Sequence, residues 1–259
     1  NRYVVCSIGS GSADIGTSYA TPSSTTTLTW TATNTSLLAT TSTSCSIDTD
    51  DNGNVFIASK EGTTGIRVYN SSAGTFATNT NVIAYASQVD NMHLSIRGTK
   101  ILITAINNAT GDLAIISSSD GITYTNTTYS GTFLDPEGCI DSNGNYHIVF
   151  VNGSVLSYIR YNTLGSFDNY EDFANTGTER YPSVRCTNFP SNNRLGSSEL
   201  ELVFTDTGTN IYFANITIDT SAPANNFPHS YNAITNNTNP LPGANVSHNI
   251  NWTDDTNLD

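Results

Sequence analysis

Short runs of β-branched and aromatic residues, bounded by Gly, Asn and Asp, recur along most of the chain. One series follows turns: Asn54–Ala58, Lys100–Thr104, Asn145–Phe150 and Glu199–Phe204. A second series comes shortly after each: Gly65–Tyr69, Asp112–Ile116, Val155–Ile159 and Asn210–Ala214. Branched and aromatic side chains pack well on a pleated surface, so these runs predict strands. No stretch sustains a helical period, and the predicted fold class is all-β. The pairs Asn52-Gly53 and Asn143-Gly144 predict two-residue hairpins, because both residues tolerate positive φ.

The runs repeat. Cys45, Cys139 and Cys186 fall on one ruler of 47 residues, with Met92 at the skipped mark. A third element recurs at Ser72–Phe76, Ser119–Tyr124 and Thr163–Phe167, each with a hydroxyl before a Gly and an aromatic after it. Its fullest form is Ser12, Asp14, Gly16, Ser18 and Tyr19. This pattern resembles the Asp-box (bacterial neuraminidase, BNR, repeat) hairpin of sialidase-like β-propellers. Repeats of this length with several strands each imply propeller blades. Blades are expected near residues 2–43, 44–86, 87–133, 134–178 and 179–219. The first is ambiguous: Cys6-Ser7-Ile8 echoes Cys45-Ser46-Ile47 as a first strand, while residues 12–19 read as the turn after a third. The count is therefore five, or six if the first blade is incomplete.

After residue 219 the repeat stops. The expected division is a propeller over 1–219, a Pro-rich linker over 220–242 and a new module over 243–259. In the last segment Val246, His248, Ile250 and Trp252 alternate. It resembles the opening strand of immunoglobulin-like or fibronectin-like β-sandwiches in prokaryotic, archaeal-type cell-surface proteins. That resemblance implies an incomplete module, since so few residues cannot bury a sandwich core.

Composition narrows the partners. Thr, Ser and Asn supply 101 of 259 residues, only two are Lys, and the formal net charge is −13. A nucleic-acid binder needs a basic stripe to displace counterions, so that class is excluded. No apolar run approaches the roughly 18–20 residues of a membrane-spanning helix. The expected setting is extracellular, at a cell surface. Nine sequons stand at Asn34, Asn70, Asn108, Asn126, Asn152, Asn215, Asn236, Asn245 and Asn251. Composition alone predicts about 8.5 on the motif's definition, so their number carries no signal and their occupancy stays open. The four cysteines show no Cys-x-x-Cys spacing, which argues against structural zinc. The propeller resemblance implies that first strands of consecutive blades lie side by side. Oxidation outside the cell would then give Cys139–Cys186 with Cys6–Cys45, the alternative being four buried thiols.

Two groups of residues are candidate sites. Asp48, Asp50 and Asn52 match the front half of a calcium loop, but Ser59 stands where a bidentate Glu belongs, and a polar hairpin turn is the stronger reading. Ca2+ is the one cofactor the sequence suggests. The second group follows from the propeller resemblance, which places ligands where loops lead into each innermost strand. Those positions hold Asp90, Asp135, Glu137, Glu179, Arg180, Tyr181 and Arg185. A sialidase-like glycoside hydrolase needs an arginine triad with a Tyr–Glu pair and an Asp acid. Arg67 and Arg160 read as equivalent third-strand positions covering blade surfaces, so no triad assembles and no catalytic residue is assigned. The leading reading is a non-enzymatic envelope, filament or adhesion component that contacts copies of itself or other surface proteins. The alternatives are a lectin-like propeller that holds glycans and a hydrolase with acids near Asp135, Glu137 and Glu179.

Overall fold

The computed structural model describes residues 3–8, 15–22, 28–31, 42–61, 65–72, 75–77, 82–84, 88–161, 167, 170–174, 179–186, 198–206 and 210–218. The expected linker, the strand Val246–Trp252, Asp14 and the sequons at Asn34, Asn236, Asn245 and Asn251 lie outside them. Every regular element among the described residues is a strand. The chain divides into two compact units, Asn1–Ser130 and Gly131–Asp259.

The first unit holds three antiparallel sheets. One comprises β1 (Tyr3–Ile8), β2 (Ile15–Pro22) and β3 (Leu28–Thr31). The next runs β4 (Ser42–Thr49), β5 (Val55–Glu61), β6 (Gly65–Ser72) and β7 (Thr75–Ala77), with β8 (Val82–Ala84) also on β6. The third orders β9 (Val89–Arg97), β10 (Lys100–Asn107), β11 (Leu113–Ser118) and β12 (Thr125–Tyr129). The second unit holds two: β13 (Phe133–Ile140), β14 (Tyr146–Asn152), β15 (Val155–Arg160) and β16 (Glu171–Ala174), then β17 (Arg180–Cys186), β18 (Ser198–Thr205) and β19 (Ile211–Ile218).

Within each unit, sheets stack through their faces and their first strands are neighbours: β1 beside β4, β4 beside β9, and β13 beside β17. Phe56, Ala58, Ile66 and Val68 pack on Leu94, Ile96, Ile103 and Ile116 between the second and third sheets. Val149, Val151 and Leu156 pack on Leu200, Leu202 and Phe204 in the second unit. The middle strands β10, β11 and β14 are buried almost throughout, so both of their faces are apolar. That is why these runs read as continuous rather than alternating. Cys139 and Cys186 form a disulfide between β13 and β17, with Cα atoms 5.6 Å apart. Cys45 is disulfide-bonded too, and the side chain of Cys6 lies outside the described residues.

Several expectations are corrected here. The Asn-Gly turns are five-residue loops, not two-residue hairpins: β4 ends at Thr49 and β5 starts at Val55, and Ile140 and Tyr146 bound the other. Each is closed by an aspartate at its first position. Asp50 Oδ1 accepts from Asn52 N and Asn54 N, and Asn54 Nδ2 donates to Oδ2 at 2.7 Å. Asp141 repeats this with Asn143 and Asn145, and Gly53 and Gly144 take the left-handed backbone (φ 81° and 79°). Residues 15–19 lie on β2, paired with β1, so the Asp-box-like segment 12–19 falls between first and second strands, not after a third. The copy at Ser119–Tyr124 does turn from third strand to fourth: Asp120 Oδ1 accepts from Ile122 N and Thr123 N, and Tyr124 packs on the core.

Candidate functional site at the first-strand bulges

Three first strands break register in the same way near their start. In β9 the pairs Asp90↔Ile106 and His93↔Thr104 leave Asn91-Met92 opposite the single residue Ala105. In β13, Leu134↔Val151 and Glu137↔Val149 leave Asp135-Pro136 opposite Phe150. In β17, Arg180↔Thr205 and Ser183↔Val203 leave Tyr181-Pro182 opposite Phe204. The first residue of each pair is left-handed: Asn91 φ 48°, Asp135 φ 49° and Tyr181 φ 50°, the only positive-φ non-glycine residues among those described. The second is buried, and in two cases is a proline, which fits a bulge because no ladder donor is needed there. A bulge re-aims the side chain it carries. Left-handed backbone costs a non-glycine residue on the order of 1–3 kcal/mol and persists where the surroundings impose it.

In the second unit two of these bulges touch. Tyr181 N donates to Asp135 Oδ2 at 3.3 Å, and the Tyr181 side chain is 70% exposed. Glu137 follows two residues after Asp135, and burial, with the Asp135 charge adding to it, pushes its carboxyl up to about 7. Glu179 is buried, and its backbone N donates to Ser154 O at 3.4 Å. Arg180 Nη1 donates to Glu179 O at 2.8 Å and Gly153 O at 3.2 Å, so its guanidinium braces the turn between β14 and β15. The structure thus brings Asp135, Glu137, Glu179, Arg180 and Tyr181 to one end of the unit. It does not bring Arg185, which pairs with Glu201 five residues along β17, about 16 Å from Arg180 at the rise of a strand. Asp90 is exposed beside Asn91 in the first unit.

Sequence reasoning missed Asn91 and His93. His93 occupies the position equivalent to Glu137, and burial pushes its imidazole down to about 4. The signal was faint: Asp-Pro and Tyr-Pro at 135–136 and 181–182, with no proline at the third bulge. From Asn91 to Asp135 is 44 residues and from Asp135 to Tyr181 is 46. The repeat is therefore not a strict 47, and Met92 lies in a bulge whereas Cys139 lies three residues past one.

The residues read as the front of a calcium loop make hydrogen bonds to backbone. Asp48 Oδ2 accepts from Ile96 N and Oδ1 from Thr49 N, both at 2.7 Å, and burial raises its pKa against these bonds. Asp50 and Asn52 belong to the turn described above. Among the described residues no group of three or more His, Cys, Asp or Glu could hold a metal ion. Arg67 and Arg160 are not equivalent: Arg67 lies near the start of β6 and Arg160 ends β15. Arg67 Nε sits 3.0 Å from Glu61 Oε1, which also accepts from Tyr69 Oη at 2.6 Å.

No protein-family model matches the chain, and no characterised protein matches its sequence. Solved structures do match. A fungal lectin from Aleuria aurantia, with a six-bladed β-propeller fold, matches over 86% of this chain and 75% of its own, at 10% identity and TM-score 0.53. A variant of AofleA from Arthrobotrys oligospora matches over 83% and 69%, at 10% identity and TM-score 0.53. SapL1 lectin in complex with α-methyl fucoside matches over 74% and 62%, at 13% identity and TM-score 0.50. The likeness shows a β-propeller fold.

Proposed function

We propose that this chain is a glycan-binding propeller module of a secreted or cell-surface protein, and that it holds sugar at the first-strand bulges of its second unit. One observation carries the reading: Tyr181, left-handed and 70% exposed, stands against the carboxylate of Asp135. A sugar ring offers an apolar C–H face and a rim of hydroxyls. An exposed phenol ring is a large rigid surface for the first, and a carboxylate accepts hydrogen bonds from the second. Backbone strain at both residues is the kind found at ligand sites, where the surrounding fold imposes it. Fucose-binding lectins among the fold neighbours make this reading more economical than a purely structural one. The disulfide between β13 and β17 suits an oxidising, external compartment.

Glu137 favours a second reading. A carboxyl held near 7 two residues from Asp135 is the kind of group a glycoside hydrolase uses as its proton donor. A glycan array probed with the full chain tests the first reading, and a fluorogenic glycoside panel tests the second. Binding is expected on the array, falling at least tenfold in Tyr181→Ala and in Asp135→Asn. A blank array, or binding untouched by both substitutions, overturns the proposal. Turnover that is lost in Glu137→Gln would replace it with the hydrolase.

A further inference from the structure

The segments 50–54 and 141–145 share one sequence pattern, Asp-x-Asn-Gly-Asn, and one turn. In each, the glycine N–H donates to the carbonyl of the first aspartate at 3.0 Å, and that aspartate's carboxylate gathers the backbone N–H groups of both asparagines. An Asn-Gly pair is open to loss of its side-chain amide: the glycine nitrogen attacks Asn Cγ, and no Cβ on the glycine hinders ring closure. Inside these turns that nitrogen is tied to the aspartate carbonyl, so attack waits on local opening. The two turns differ in what resists opening. Asp141 is 1% exposed, and its Oδ2 lies 3.3 Å from Nε2 of the buried His147, whose Nδ1 meets Tyr158 Oη at 2.6 Å. The matching residue, six after Asp50, is Phe56, which has no polar hydrogen to give a carboxylate, and Asp50 is only half-buried.

We propose that Asn52 is a site of spontaneous deamidation in the folded protein, and that the chain Asp141–His147–Tyr158 shields Asn143 from the same reaction. The Gly53 nitrogen gives its proton to water and bonds to Asn52 Cγ, and the side-chain amide leaves as ammonia. Water then opens the cyclic imide at either carbonyl, giving aspartate or isoaspartate, and no other reactant is needed. Either product adds a carboxylate beside Asp50 and Asp51. Isoaspartate also lengthens the loop backbone by one carbon, next to the last paired residues of β4 and β5, Thr49 and Val55. Opening decides the contrast, because hydrogen bonds to a carboxylate are among the stronger ones and a buried one is lost without water to replace it. Neither turn belongs to the proposed glycan site.

Peptide mapping of the full chain, aged at neutral pH, tests it by reading aspartate and isoaspartate at both positions in native and in urea-unfolded protein. Unfolded, the two sites are expected to convert within about threefold of each other, since Gly and Asn follow both. Native, Asn52 should convert at least tenfold faster than Asn143. His147→Phe, which gives the second turn the residue of the first, should speed Asn143 at least threefold and leave Asn52 unchanged. Native rates that match, or an Asn143 faster than Asn52, overturn the proposal. So does a native chain in which Asn52 stays intact while the unfolded chain converts. An Asn143 rate untouched in folded His147→Phe overturns the shielding. Tyr158→Phe, which removes one hydroxyl from the same chain of hydrogen bonds, is read in the same way if His147→Phe does not fold.

Discussion

Tyr181 places a large side chain on a backbone conformation that glycine adopts freely, and leaves that side chain in water. Neither feature serves stability, so stability and binding should separate on substitution. Tyr181→Gly is expected to raise the stability of the chain by about 1 kcal/mol, read from the urea midpoint, while glycan affinity falls at least tenfold. Glu137 gives a second separation. Its folded-state pKa of about 7 stands above the ordinary 4.5, so the native chain binds more protons than the unfolded one between those values. Stability therefore falls as pH rises through this window. Glu137→Gln should remove that slope and leave the variant more stable than the wild type at pH 8 by roughly 2–3 kcal/mol, checked by denaturation across pH. Tyr-Pro and Asp-Pro are visible in the sequence, but the positive φ before each proline is not. A residue before proline ordinarily prefers extended backbone, so the local rule points away from what the bulge imposes.

At the scale of the element, aspartates close the turns. Burial pushes Asp141 up, but hydrogen bonds from His147 and Asn145 outweigh it, and its carboxyl sits well below the ordinary 3.8. Its stabilisation is present above that ordinary value and is lost as pH falls further. Asp141→Ala strands two turn N–H groups and the buried His147, and should cost about 2–4 kcal/mol at neutral pH, with a shallower acid limb than the wild type. The Cys139–Cys186 bridge closes a segment of 47 residues. Replacing both cysteines by serine should cost about 4 kcal/mol on the chain-entropy estimate, measured as a shift in urea midpoint. The strands themselves were legible, because apolar runs punctuated by Gly, Asn and Asp have few other solutions. The loop lengths were not: Asn-Gly looks the same at the tip of a two-residue turn and within an Asp-closed loop of five.

Over the whole molecule, 22 acidic residues against 9 basic ones set a field that repels anions. The proposed site works by stacking and hydroxyl acceptance rather than by ion pairing. Affinity for neutral glycans should therefore change less than twofold between 50 and 500 mM salt. Sialylated or sulfated glycans should bind more weakly at 50 mM and gain as salt screens the repulsion, both readable by titration calorimetry. Equal affinity for charged and neutral forms at low salt would remove the acidic surface from the account of specificity.

The sequence by itself determined that the chain is all-β, where the second and third strands of four of its sheets run, and that the strands come in successive groups. Side-chain branching and turn chemistry act locally, so they can be read one residue at a time. Only the tertiary structure decided which residues meet. A bulge adds one residue to a strand, turns every later side chain to the opposite face and leaves no trace in composition. Asn91, in such a bulge, went unread, while Asp135 and Tyr181 were found. Arg185 lies apart from Arg180 because it stands five residues further along β17, and Tyr181 meets Asp135 because contact across strands depends on pairing, which the packing of whole sheets fixes.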